Sequence, residues 1–264
     1  MIYRINVGGN IRDMFISGDL LFNLVHRELT VRYKRSVIGF MWTMLNPIIM
    51  TAVYTVVFST IFRFPTKDFV VYFLSAYLVW NFFSQSTTTA SKCIINAGSL
   101  IKKVYIPKVV LVFSVIVSAL VNLGAALIPL LIVIPILGNG LHAAMLFLIV
   151  PFVLVTMFTL GVALILASMT VFFLDVGEFY NVILMPWMFL TPIMYPMDIV
   201  PEKYHILIKM NPMYYFIECF RHPIYNGTLP SLGIIAMSAL LAVVTLIIGY
   251  RIFKRAEDDF VYYV

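Results

Sequence analysis

The sequence is poor in charged residues and in cysteine, and each shortage excludes a class of protein. Only 11% of its 264 residues are charged, whereas 62% are hydrophobic. A soluble domain of this size cannot hide so much apolar surface from water. The only two cysteines, Cys93 and Cys219, fall where opposite faces of a membrane are expected, which argues against a disulfide between them. The composition therefore predicts a protein of the lipid bilayer.

The sequence also lacks the motifs of common enzymes. It contains no GxxxxGK[ST] phosphate-binding loop, no HExxH, no CxxC and no GxSxG, and its four histidines show no metal-ligand spacing. We therefore expect no catalytic residue, no cofactor and no metal ion on this chain. The net charge of +6 is not gathered in a folded basic domain, so nucleic acid is not an expected partner.

Long apolar runs, in contrast, are plentiful. Because a helix needs roughly 20 mainly apolar residues to cross the hydrocarbon core, the sequence predicts an all-α membrane protein with six transmembrane helices. The central parts of these runs carry essentially no ionisable residue, which argues against an ion-coupled transporter. Energy for any transport would then come from another subunit. The six predicted spans are 37–62, 70–91, 108–137, 143–173, 179–195 and 231–250.

The distribution of Lys and Arg predicts the orientation of these spans. With the N-terminus in the cytosol, the inner face carries thirteen cations and the outer face five. Since Lys and Arg near span ends set orientation, both termini are predicted to be cytosolic. The cationic inner face would also contact anionic lipid headgroups.

An amphipathic helix is predicted before the first span, within residues 11–35. Apolar residues recur there with near-helical spacing, while Arg27, Glu28 and Arg32 fall mostly on the other side. This pattern is typical of a helix lying in the inner membrane interface. Two roles remain open for it, a positive-inside anchor and a docking surface for a partner.

A second inner segment connects the second and third spans, at residues 96–106. Ser99 is positioned to cap a short cytosolic helix that presents Lys102, Lys103 and Tyr105, and Pro107 ends it. The alternative is a basic loop that only fixes the topology. A further inner loop, 173–179, carries Asp175 and Glu178.

The outer segment 196–230 is predicted to contain two short helices. Pro201 begins the first, and Asn211-Pro212 ends it and begins the second, because Asn is a good N-cap and Pro is favoured in the first helical turn. Each is too short to cross the membrane, so they lie in the outer interface or form a re-entrant hairpin. Their aromatic residues are either an interfacial belt or the mouth of a pathway. Glu218, Arg221 and His222 are expected to pair locally.

Four segments, in order along the chain, resemble a known family. These are RELTVRYKRSVIGFMWTMLNPI (27–48), IKKVYIPK (101–108), TPIMYP (191–196) and NPMYYFIECFR (211–221). Together they resemble the membrane subunit of ABC-2 type ATP-driven exporters of polysaccharides, which handle O-antigen, capsule and wall teichoic acid. One departure lies at FFLDVGEF, where family members often carry a basic residue and this chain has Leu174.

The resemblance implies a homodimer bound to two copies of a separate ABC ATPase, which would carry ATP and Mg. The substrate would be a lipid-linked polysaccharide, and the location the inner or plasma membrane of a bacterium. The residues implied in ATPase coupling are Arg27, Glu28, Arg32, Ser99, Lys102, Lys103, Tyr105, Asp175 and Glu178. Those implied in the substrate path and outer gate are Tyr204, Tyr214, Tyr215, Phe216, Phe220, Glu218 and Arg221.

The chain is accordingly interpreted as one ABC-2 type transmembrane domain, 1–264. Its aromatic content of 15% suits weak, repeated contacts with sugar rings. Three alternatives remain: an exporter of small molecules or drugs, a passive channel, and a polyprenyl-phosphate glycosyltransferase. The parts of the domain are a cytosolic interface helix (11–35), spans one to five (37–195), outer gate helices (196–230), span six (231–250) and a cytosolic tail (251–264).

Overall fold

A computed structural model describes residues 18–63, 66–103, 106–138, 140 and 142–264. Every regular element in these residues is a helix, as the sequence predicts. Shorter 3-10 or π-helical turns, including Gly39–Met41, Thr55–Ile61 and Ala143–Leu148, extend some of the α-helices. The α-helices are α1 Gly18–Tyr33, α2 Trp42–Tyr54, α3 Phe69–Ser91, α4 Cys93–Asn96, α5 Gly98–Ile101, α6 Lys108–Ile136, α7 Ile149–Phe172, α8 Asp175–Phe189, α9 His205–Met210, α10 Pro212–Arg221, α11 Leu232–Ala256 and α12 Phe260–Tyr263.

Four helical segments of the described chain are long and apolar enough to cross a membrane. They agree with the predicted first, third, fourth and sixth spans to within a few residues at most ends. The sixth differs most, because its helix continues to Ala256 rather than ending at 250. The four segments are Gly39–Ile61, Lys108–Ile136, Ala143–Phe172 and Leu232–Ala256.

The predicted second span is helix α3, which is the central helix of the fold. Of its 23 residues, 17 are buried, and it packs against α6, α7 and α10. The polar residues near its end pack against α8: Thr87 Oγ1 lies 2.7 Å from the Tyr180 hydroxyl, and Thr88 donates to Asn181 Oδ1 at 3.1 Å. Polar side chains of this kind hold membrane helices together by hydrogen bonds.

The predicted fifth span was placed wrongly at both ends. Residues 179–195 were expected to span, but helix α8 runs from Asp175 to Phe189, so Asp175 and Glu178 lie in its first turn rather than in a loop. Acidic residues are favourable there because they face the positive end of the helix dipole. The helix cannot reach 195 because Pro192 disfavours helical geometry at Thr191.

The closest helix pair is formed by α7 and α11. Gly161 of α7 lies against the backbone of α11: a Cβ atom at Gly161 would come within 2.6 Å of the Thr245 oxygen and the Leu246 nitrogen. Ser238, Ala242 and Gly249 are the small buried residues of α11. Small residues let helix backbones approach closely in membranes, where dispersion contacts replace the hydrophobic driving force.

Helix α1 runs along the first half of α6. Leu24 is buried beside Leu111 and Val115, and the Tyr33 hydroxyl donates to Asn122 Oδ1 at 3.1 Å. The distal end of α1 therefore reaches the middle of α6. Its predicted position in the membrane interface stays a prediction.

The connection after α3 also differs from the prediction. The expected single helix is two one-turn helices, α4 and α5, which meet at Ala97. Ala97, not Ser99, is the N-cap of α5, and Ser99 lies inside it without a capping bond. Cys93 at the start of α4 is a free thiol, and so is Cys219 in α10, as expected.

Candidate functional site

The two predicted inner segments approach each other at one end of the bundle. Arg27 and Glu28 of α1 line a small cleft with Cys93, Asn96 and Ala97 of the α3–α5 connection. Arg27 is exposed and Glu28 is half-buried. The structure thus brings together residues that are about 70 positions apart in the sequence.

Ser99, Lys102 and Lys103 are exposed, and Ser99 and Lys102 line a neighbouring depression with Phe172 and Val264. The helix that carries Ser99 is supported from within, because Gly98 and Ala97 are buried and Gly98 lies directly against Val264. Val264 follows α12, whose Tyr263 ring contacts the Phe172 ring edge-on at 5.0 Å. The short helix that precedes the exposed lysines is therefore packed against aromatic and apolar residues.

The acidic pair at the start of α8 completes this end of the molecule. Asp175 and Glu178 are exposed. The Lys92 ammonium at the end of α3 donates to Glu178 Oε1 at 2.6 Å and so links the two helices. We call Arg27, Glu28, Ser99, Lys102, Lys103, Asp175 and Glu178 the inner surface.

Two residues predicted for ATPase coupling do not belong to this surface as described. Arg32 points toward Gln85 of α3, with Nη1 at 3.5 Å from Gln85 Oε1. Gln85 lies six residues before the inner end of α3, so Arg32 is set back from the surface by about 9 Å. Tyr105 lies outside the described residues.

A charged cluster lies at the other end of the bundle, on α10. Arg221 is 3% exposed; its Nη1 donates to Glu218 Oε1 at 2.6 Å and its Nη2 to the Pro192 carbonyl at 2.8 Å. The guanidinium also stacks on the ring of Tyr72, 3.8 Å from its centre. His222 Nδ1 lies 3.4 Å from Glu218 Oε2. The predicted local pairing of these ionisable residues is confirmed.

The cluster forms one wall of an outer cavity of about 520 Å³. Burial and the nearby Glu218 carboxylate raise the pKa of Tyr214, whose phenol is therefore neutral and able to donate a hydrogen bond. Polar and aromatic groups thus surround an open space. Among the residues lining this outer cavity are Tyr72, Asp198, Tyr214, Glu218, Arg221 and Tyr225.

Asn211 fixes the start of α10 and the turn after α8 to each other. Its Oδ1 caps α10 by accepting from the Met213 amide at 3.0 Å and also accepts from Trp187 Nε1 at 2.9 Å. Its Nδ2 donates to Thr191 Oγ1 at 2.7 Å. The predicted N-cap is confirmed, and the segments TPIMYP and NPMYYFIECFR are bonded to each other.

The remaining residues predicted for the outer gate fall into two groups, which differ in their burial. Tyr204 is 47% exposed and Tyr215 is half-buried, and neither lines the outer cavity. Phe216 and Phe220 are each 1% exposed and pack against Phe158 and Phe152 in the core. We therefore assign these two phenylalanines to packing and leave them out of any substrate path.

Sequence reasoning missed Tyr72 and Asp198 of the outer cavity. Tyr72 belongs to the second span, and nothing in its local sequence indicates the arginine 149 positions away. A polar residue at the outer end of an apolar span was the available signal, since such residues often face a protein interior. The Tyr72 hydroxyl donates to the Tyr195 carbonyl at 3.0 Å, which anchors it at the cavity.

A bundle of apolar helices, with a charged inner surface at one end and a polar cavity at the other, defines a membrane protein of transporter type. The sequence matches the family "ABC-2 type transporter" over residues 19–225, and the chain belongs to that family. Relatives include the O-antigen export system permease protein RfbA of Myxococcus xanthus, 30% identical over 95% of this chain and 97% of the relative. The Klebsiella pneumoniae protein of that name is 26% identical over 92% and 93%. Polysialic acid transport protein KpsM of Escherichia coli is 22% identical over 88% and 91%.

Proposed function

We propose that this chain is the transmembrane permease subunit of an ATP-driven exporter, which moves a lipid-linked, O-antigen-like polysaccharide from the cytosol across the inner membrane. The names of the relatives support the substrate class, because they are O-antigen export system permease proteins and a polysialic acid transport protein. ATP and Mg would bind to a separate ABC ATPase subunit, present in two copies.

The observation that carries this proposal is the inner surface. Its charged residues come from three separate parts of the chain and meet beside a short, supported helix. A partner that pushes on Lys102 and Lys103 would press on Gly98 and Ala97, which are buried against the rest of the fold. A mechanical load is transmitted through packed contacts rather than absorbed by a loose loop.

A homodimer with six spans per subunit is part of the proposal, with α3 and α8 as the second and fifth spans. Helices α2 and α8 are the most open of the spans: Pro47 and Thr51 are the buried residues of α2, and Gly177 and Tyr180 those of α8. A second copy would pack on these open faces, with the polymer path between the subunits. Both termini would be cytosolic, as the cation distribution predicts.

The outer gate would comprise the region 196–230 within the single domain 1–264. Tyr214, Glu218 and Arg221 line the outer cavity, where neutral phenols and aromatic faces would make weak contacts with sugar rings. Tyr204 lies in the turn before α9 and Tyr215 lies in α10, and both would contact the polymer outside the cavity. Weak contacts suit a polymer that must keep moving.

The first test is purification of the tagged protein from its native membrane, with mass spectrometry and an ATPase assay on what accompanies it. We expect a stoichiometric ABC ATPase. A chain that comes out alone, under conditions that preserve other membrane complexes, would refute the motor-driven function and favour a passive channel.

The second test changes Lys102 and Lys103 to Glu. Reversal of two charges on the inner surface should abolish polymer export while the subunit still folds and dimerises. Lys102→Arg with Lys103→Arg is the matched control, because it keeps both positive charges at the same exposed positions and should leave export normal. Normal export by the glutamate variant would remove these residues from the coupling surface.

A further inference from the structure

A second cavity, of about 190 Å³, lies within one subunit between α1, α2, α3 and α6. It is distinct from the outer cavity and from the inner surface. Its volume holds about six water molecules at roughly 30 Å³ each. We call it the amide cavity, because its polar lining includes Arg32, Tyr33, Asn46, Asn81, Gln85 and Asn122.

The amide cavity extends from about the middle of α3 and α6, where Asn81 and Asn122 lie, toward the end of α3 that is nearer to the inner surface. Gln85 is six residues, or about 9 Å, from the inner end of α3 at Ser91. Arg32 reaches Gln85 from the last turn of α1. The positive charge of the cavity therefore lies on the side that is nearer to the inner surface.

The hydrogen-bond acceptors of the cavity are largely used within the protein. Asn81 Oδ1 accepts from Gln85 Nε2 at 2.8 Å, Gln85 Oε1 accepts from Arg32, and Asn122 Oδ1 accepts from the Tyr33 hydroxyl. Three side-chain oxygens are therefore already satisfied.

Several hydrogen-bond donors of the cavity, in contrast, have no partner within the described residues. Asn122 Nδ2 is buried and has no hydrogen-bond partner among the described residues. Arg32 has five N–H groups; one donates to Gln85 Oε1 at 3.5 Å and the side chain also bonds the Tyr33 hydroxyl, which leaves further N–H groups for a ligand. Asn46 is exposed on an apolar helix and makes no side-chain bond among those identified in the described chain, so it does not serve to join helices. No Asp or Glu occurs among the described lining residues.

A surplus of donors with one positive charge and no carboxylate fits an anion that has several acceptor oxygens. Guanidinium groups bind phosphate with paired hydrogen bonds, and basic pockets between membrane helices near the cytosolic side bind lipid headgroups. We propose that the amide cavity binds the phosphate group of an inner-leaflet lipid, held by Arg32, Asn46 and Asn122. This inference does not depend on the ATPase or on a second subunit.

The test compares two lipids that differ only in the phosphate, dioleoyl phosphatidic acid and dioleoyl glycerol. Each is titrated into the purified full-length protein in detergent, and bound lipid is counted per subunit by native mass spectrometry. We expect one tightly bound phosphatidic acid, with at least tenfold higher affinity than dioleoyl glycerol. Indistinguishable affinities for the two lipids would overturn the proposal.

Variants place the binding in the amide cavity. Arg32→Gln and Asn46→Ala should each lower the affinity for phosphatidic acid at least fivefold. Lys34→Gln is the matched control, because Lys34 is an exposed cation two residues from Arg32 that does not line the cavity, and it should leave the affinity unchanged. Asn46→Ala removes no hydrogen bond identified in the structure, so it should elute as the wild type does in size exclusion. Wild-type affinity in Arg32→Gln and Asn46→Ala would refute the site.

Competition identifies the source of the phosphate. Displacement of phosphatidic acid by an equimolar polyprenyl phosphate would assign the site to a lipid carrier, as in a lipid-linked substrate. Retention of phosphatidic acid would assign it to a bilayer phospholipid. Both results support a phosphate site, and neither requires that export be measured, so failure here is separable from failure of the proposed function.

Discussion

Replacement of Gly161 by alanine should destabilise the fold by separating α7 from α11. The new methyl group would lie 2.6 Å from backbone atoms of Thr245 and Leu246, whereas carbon atoms pack at about 3.5–4.0 Å. The helices must therefore move apart by about 1 Å, because backbone atoms cannot rotate away as a side chain can. Overpacking of this kind costs about 1–3 kcal/mol.

Gly124→Ala provides the matched control. Gly124 lies inside helix α6 with open space around the position of a Cβ atom. Alanine there gains helix propensity of about 1 kcal/mol without a clash. Gly161 lies inside α7 and gains the same propensity, so the two changes should differ by the overpacking cost alone, about 1–3 kcal/mol in the free energy of unfolding.

The assay is thermal unfolding of the two purified variants in the same detergent, followed by size exclusion of the heated samples. One kcal/mol shifts Tm by about 2–4 °C in a chain of comparable size, so Gly161→Ala should unfold about 2–12 °C below Gly124→Ala. Equal Tm values would show that α7 and α11 have room between them, which would refute the close-packing argument.

Two further predictions concern α10. Arg221→Leu should cost about 3–5 kcal/mol, because it leaves the partly buried Glu218 carboxylate without its partner; the double variant with Glu218→Leu should recover much of the loss in Tm, and a further loss would contradict the pairing. Asn211→Ala should lower Tm more than Ser231→Ala does, because Ser231 only caps α11 through Ile234 whereas Asn211 bonds several groups. Equal losses would reduce Asn211 to a simple cap.

Local signals in the sequence were sufficient to predict α10. Asn211 followed by Pro212 specifies a helix start through chemistry that acts within three residues, and the structure has the cap bond at that place. The long spans were predictable for the same reason, because length and apolarity are properties of a continuous stretch.

The boundaries of α8 could not be read from apolarity. The first turn of this helix contains Asp175 and Glu178, which look like a loop when apolar runs are sought. Its end is set by Pro192 rather than by a change in hydrophobicity. A helix that begins with a polar turn and stops inside an apolar run has no distinct signature of this kind.

The functional regions depend on contacts between distant residues, which periodicity does not specify. Arg32 lies four residues after Glu28 on the same face of α1, yet it contacts Gln85 in another helix and lies away from the inner surface. Tyr72 stacks under Arg221 for a similar reason. The helix faces were predictable, whereas the neighbours of each face were not.

The bonds of Asn211 also bear on how this corner of the molecule can change during evolution. One carboxamide serves Trp187, Thr191 and Met213, so a substitution at Asn211 leaves partners in two other segments unsatisfied at once. A substitution at one of these coupled positions is then selected against unless a second substitution accompanies it. In related sequences, these positions should accordingly be replaced as a set, and their joint substitution would mark the branches on which the outer region was rebuilt.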